Sequence, residues 1–101
     1  MYIINTTFVV EPSAHGRWYE FFLQKFVPLC RAEGFSELTF TRVLHEDTQG
    51  HYTYSLQVAV DSIPEYQRFV AEIMTDYGST VLSVFGEQVL HFTTLLKRIM
   101  L

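Results

Sequence analysis

Polar and apolar residues alternate along several stretches of this chain with the two-residue period of a β-strand. The clearest lies between His51 and Val60. There Tyr52, Tyr54, Leu56, Val58 and Val60 are apolar or aromatic, whereas Thr53, Ser55 and Gln57 between them are polar and uncharged. Residues from Tyr2 to Val10, β-branched and aromatic and closed by Glu11 and Pro12, predict a first strand. Further strands are predicted from about Leu38 to Glu46, from His51 to Val60 and from about Gln88 to Arg98. The segment Asp47-Thr48-Gln49-Gly50 suits a hairpin loop that makes the middle pair antiparallel.

Between these strands the period changes. Trp18, Phe22, Phe26 and Leu29 recur at helical spacing, with Phe21, Val27 and Cys30 widening the stripe, and predict a helix over 17–33. Ser13 is its expected N-cap, Gly34 its stop, and Pro28, which lacks an amide hydrogen, predicts a kink. Asp61 or Ser62 is expected to cap a second helix, with Glu65 completing a capping box and Pro64 in the first turn. Its buried stripe is Tyr66, Phe69, Val70, Ile73 and Tyr77. Gly78 is expected to weaken or break it before Val81, Leu82 and Phe85 carry the pattern on to Gly86.

The order strand, helix, strand, strand, helix, strand predicts an α+β, ferredoxin-like βαββαβ two-layer sandwich with β1 and β3 central, spanning residues 1–101 as one domain. Both helices then cover one face, assigned Leu38, Phe40 and Leu44; Tyr52, Tyr54 and Leu56; and Leu90, Phe92 and Leu96. The opposite face comprises Ile3, Asn5, Thr7 and Val9; Thr39, Thr41, Val43 and His45; Thr53, Ser55 and Gln57; and Val89, His91, Thr93 and Leu95. It contains no Lys, Arg, Asp or Glu, which is unusual for a surface in bulk water and predicts that something covers it.

Composition narrows the partners. A 101-residue chain with 49% hydrophobic residues is long enough for one core. A net charge of -4 without like-charged runs leaves no footprint for nucleic acid or an anionic membrane. The single cysteine, Cys30, has no intramolecular partner and the amino end has no basic n-region, which predicts a cytoplasmic protein. No P-loop, dinucleotide fingerprint, nucleophile elbow or Cys-x-x-Cys is present, so no cofactor is expected.

Glu11-Pro12-Ser13-x-His15 with Trp18, then Pro28, Tyr54-Ser55-Leu56-Gln57 and the tail FGEQVLHFTTLL resemble an uncharacterised bacterial family of roughly hundred-residue domains of unknown function. The resemblance covers nearly the whole chain. It implies membership of the dimeric α/β-barrel, ferredoxin-like group, in which two sheets pack through their open faces to make a homodimer, and it implies no reaction.

The residues offer four candidate chemistries. Asn5, Thr53, Ser55, Gln57, His91 and Thr93 are placed on the open face, where they suit a small polar ligand or a hydrogen-bonded interface. Ser13, His15 and Arg17 lie near a helix amino terminus that favours an anion. His45, His51 and His91 are placed on one face, but at least one strand separates His91 from His51, so no metal site is expected. Cys30 sits on an apolar stripe and reads as a structural thiol. The leading reading is therefore a homodimeric domain, structural or ligand-binding. The alternative is a cofactor-poor monooxygenase or isomerase with His91 as general base and Asn5 or Gln57 orienting substrate. An RNA-recognition role is disfavoured, because Asn5, Thr7, Thr53 and Ser55 stand where aromatic stacking platforms would be needed.

Overall fold

The computed structural model describes residues 1–44 and 50–101. Strand β1 (Tyr2–Val10) leads into a helix over 12–32, then β2 (Leu38–Arg42), β3 (Tyr52–Val60), a second helix over 63–85 and β4 (Val89–Lys97). The four strands form one antiparallel sheet in the order β2-β3-β1-β4. Strand β1 coincides with its expected bounds. The hairpin loop and His45 of the expected β2 lie outside the described residues, apart from Gly50.

The first helix starts earlier than its apolar stripe suggested. Pro12, whose fixed φ and missing amide hydrogen suit a first turn, opens it, and the N-cap is extended Glu11, with no side-chain cap bond, rather than Ser13. Just before Pro28, where the sequence predicts a kink, the helix widens into a π-turn, Phe22–Phe26, closed by the Val27 amide donating to the Phe22 carbonyl. At the end Gly34 adopts φ +91°, while the amides of Gly34 and Phe35 donate to the carbonyls of Arg31 and Cys30, a Schellman termination. Arg68 ties this end to the second helix: its guanidinium donates to the Glu33 carbonyl at 2.9 Å and lies 4.3 Å from the Phe35 ring centroid.

Ser62 caps the second helix by accepting the Glu65 amide at 3.3 Å. A second π-turn, Phe69–Met74, follows, and both the amide and the hydroxyl of Thr75 donate to the Val70 carbonyl. Contrary to expectation, Gly78 does not break this helix, which runs on to Phe85 because Tyr77, Val81 and Phe85 all bury on one side. A Cβ at Gly78 would meet only His91 Cε1 at 3.7 Å, an ordinary contact. Gly78→Ala is therefore expected to stabilise the domain by about 0.5–1 kcal/mol through helix propensity, read as a higher thermal midpoint.

Both helices pack on the face formed by Ile4, Phe8 and Val10 of β1 and Tyr54, Leu56, Val58 and Val60 of β3. Phe8 is the hub of an aromatic core, with ring centroids 5.4 Å from each of Trp18, Phe22 and Tyr77. The indole of Trp18 donates to the Tyr77 hydroxyl at 2.9 Å, so the largest buried polar groups satisfy each other. Cys30 is buried in this core, and burial pushes its thiol up to about 12, in keeping with a structural role.

Strand β4 corrects the face assignment. Its register pairs Phe8 with His91, Thr6 with Thr93 and Ile4 with Leu95, so Val89, His91, Thr93 and Leu95 point toward the helices and Leu90, Phe92, Thr94 and Leu96 point away. The Thr6 and Thr93 hydroxyls hydrogen-bond at 2.9 Å, and the His91 ring meets Tyr77 edge-on at 5.1 Å. The sequence VLHFTTLLK carries apolar residues in both phases, so tertiary packing decides the phase. Leu44, assigned to the covered face, lies beyond β2 and is exposed.

Candidate functional site

The face turned away from the helices is built in four cross-strand rows. Register places Ala59, Ile3 and Leu96 in the first, and Thr39, Gln57, Asn5 and Thr94 in the second. Thr41, Ser55, Thr7 and Phe92 make the third, and Thr53, Val9 and Leu90 the fourth. The middle rows are thus polar from β2 to β1, whereas the outer rows are apolar apart from Thr53 and the β4 side is apolar apart from Thr94. None of these strand residues is charged. Leu90 and Phe92 are each 58% exposed and Leu96 41%, an apolar row along the sheet edge that a lone copy leaves in water.

Of the residues expected to bind on this face, Asn5, Thr53, Ser55 and Gln57 do share it. Ser55 donates its hydroxyl to Asn5 Oδ1 at 2.7 Å, which fixes the Asn5 amide. His91 and Thr93 do not belong to it, because both lie on the helix side. The general base expected at His91 therefore has no access to the open face. The alternating pattern missed Leu90, Phe92, Thr94 and Leu96, which take the places given to Val89, His91, Thr93 and Leu95.

The residues expected to gather an anion diverge. Ser13 Oγ accepts from Gln88 Nε2 at 3.1 Å, His15 turns onto the sheet, and the Arg17 guanidinium lies 5.6 Å from the Phe85 centroid. His45 is outside the described residues, and no group of three side chains able to hold a metal ion occurs among those described. Elsewhere a depression of about 310 Å³ lies between Gly34, Glu37, Asp61 and Glu65.

The family model for a domain of unknown function, DUF4286, matches residues 1–99. The chain belongs to the DUF4286 family. Among curated proteins none matches it. A crystal structure of an ethyl tert-butyl ether degradation (EthD) family protein from Bacillus halodurans is similar in fold, with a TM-score of 0.65 at 14% identity over 98% of this chain and 100% of that one. No helix among the described residues of this DUF4286 chain is long and apolar enough to cross a membrane.

Two imidazoles of this DUF4286 domain, those of His15 and His91, serve the helix side. His15 stacks on Tyr52 with centroids 3.7 Å apart and shares a 2.7 Å hydrogen bond between Nε2 and the Tyr54 hydroxyl. Burial, and then the Arg42 cation, hold its pKa below the ordinary 6.5; burial alone lowers that of His91. Both fold as neutral rings and would titrate near 6.5 when unfolded, so their contribution is complete above about pH 6.5 and is lost as pH falls through their lower folded values. The urea midpoint of the wild type is expected to drop between pH 7 and pH 5 by more than that of a His15→Gln/His91→Gln variant. Equal drops in the two proteins would refute this assignment.

Proposed function

We propose that this protein is a ferredoxin-like homodimer of the dimeric α/β-barrel type, its two sheets meeting through their open faces and holding a small uncharged polar molecule between them. The observation that carries the reading is the open face itself: free of charge in every strand, polar at its centre and bordered by exposed Leu90, Phe92 and Leu96. Three nine-residue strands about 30 Å long and the five-residue β2 about 17 Å long, each taking about 4.8 Å of width, give roughly 500 Å² per copy in projection. Pairing two such faces reaches the roughly 1,000 Å² that a stable interface needs. The similarity in fold to the EthD-family protein supports the ferredoxin-like part of this reading.

The molecule is expected to be uncharged because an ion in that space would lose its hydration without finding a counter-ion. The Asn5 amide, Gln57 and the hydroxyls of Thr7, Thr39 and Thr41 offer donors and acceptors instead. Native mass spectrometry of the purified protein tests the reading directly. The expected result is twice the 11.8 kDa of one chain, with any retained mass being a small organic molecule. A species of 11.8 kDa alone at micromolar concentration would overturn it.

A further inference from the structure

The open face is chemically lopsided, and that asymmetry selects how two copies meet. Two sheets face to face are related by an axis lying between them, running either along the strands or across them. An axis along the strands sets β4 over the partner's β2, which places Phe92 near the partner's Thr41. It also places Leu96 near the partner's Glu37, the residue whose carbonyl extends the β2–β3 ladder by accepting the Ala59 amide. An axis across the strands sets every strand over its own copy. Leu96 then meets the partner's Leu90, Ile3 meets the partner's Val9, and the two polar middle rows face each other.

We propose that the copies pair about the axis across the strands, β4 over β4, so that the space between the polar rows is lined by both chains and is incomplete in either alone. The inference rests on the homodimer proposed above and adds its geometry. Stacked sheets lie about 10 Å apart when large side chains interdigitate. Leucine and phenylalanine along β4, with Ile3 and Val9 at the ends, are long enough to set that spacing. Ser55, Thr7, Thr39 and Thr41 are too short to fill it, which leaves a hydrogen-bonding gap walled by apolar contacts.

Isotope-filtered methyl NOE spectroscopy on a mixed labelled and unlabelled wild-type sample tests this without any substitution. Ile3 and Val9 of one chain are about 20 Å apart along β1, so contact between them arises only across the interface. The expected result is Ile3 to the partner's Val9 and Leu96 to the partner's Leu90. Contacts from Leu96 or Phe92 to β2 of the partner would overturn the arrangement while leaving the face-to-face homodimer intact. Leu90–Leu96 contacts without Ile3–Val9 contacts would mean that β4 pairs edge to edge, and would overturn both. Light scattering on the same sample reports the subunit number, and a monomer would likewise overturn both.

Discussion

Trp18→Ala is expected to lower the stability of the domain by about 4–8 kcal/mol. The indole is fully buried, stacked on Phe22 with centroids 5.0 Å apart and on Tyr54 at 5.6 Å, and it packs against Phe8. Truncating a buried aromatic of this size costs about 3–5 kcal/mol. The Tyr77 hydroxyl, itself buried and held by that indole, then loses its partner for a further 1–3 kcal/mol or so. A domain of this length has roughly 5–15 kcal/mol in total, so a loss of about 4–8 kcal/mol takes at least a quarter of it and up to all of it. Trp18→Phe separates the two contributions: it keeps a ring in the core, orphans Tyr77, and is expected to lower stability by about 1–3 kcal/mol. Urea denaturation at one fixed protein concentration checks both. A Trp18→Ala protein with a near-native midpoint would mean that the aromatic cluster does not hold the layers together.

The parts of this fold that were legible in the sequence are those where a single periodic pattern had no rival. In β3 the polar residues keep one phase throughout and in β1 only Thr6 departs from it, so the open face of the two central strands follows from Asn5, Thr7, Thr53, Ser55 and Gln57. The capping of the second helix by Ser62 and the stop at Gly34 were equally readable, because each rests on a residue with one local role. Strand β4 was not readable, since an edge strand tolerates His91 and Thr93 on its helix side while leaving Leu90 and Leu96 in water on the other. The one signal for that phase was Gly78, whose position beside the His91 ring is evident only once the two are packed; in isolation it looks like a helix breaker. The same phase error placed a catalytic histidine on the open face, so the site's chemistry was less legible than its location.

Ser55→Lys and Thr93→Lys separate the two faces by consequence. Ser55 points away from the helices, and a lysine there leaves the aromatic core untouched while breaking the 2.7 Å bond to Asn5. In a two-fold pair the new ammonium appears on both sheets among strand residues that carry no acid, and like charges held together across an interface cost several kcal/mol. With about 1.4 kcal/mol per tenfold, the dimer is expected to weaken on the order of a thousandfold, giving a folded monomer at micromolar concentration. Thr93 points the other way, onto the hydroxyl of fully buried Thr6. Its replacement is expected to lower folding stability by about 1–3 kcal/mol through the orphaned Thr6 hydroxyl, with the long lysine stem snorkelling out past the edge strand. Sedimentation velocity together with urea denaturation reads both effects: Ser55→Lys shifts the mass and Thr93→Lys the midpoint. If Ser55→Lys sedimented as the wild type does at micromolar concentration, the open face would not be the surface through which two copies associate.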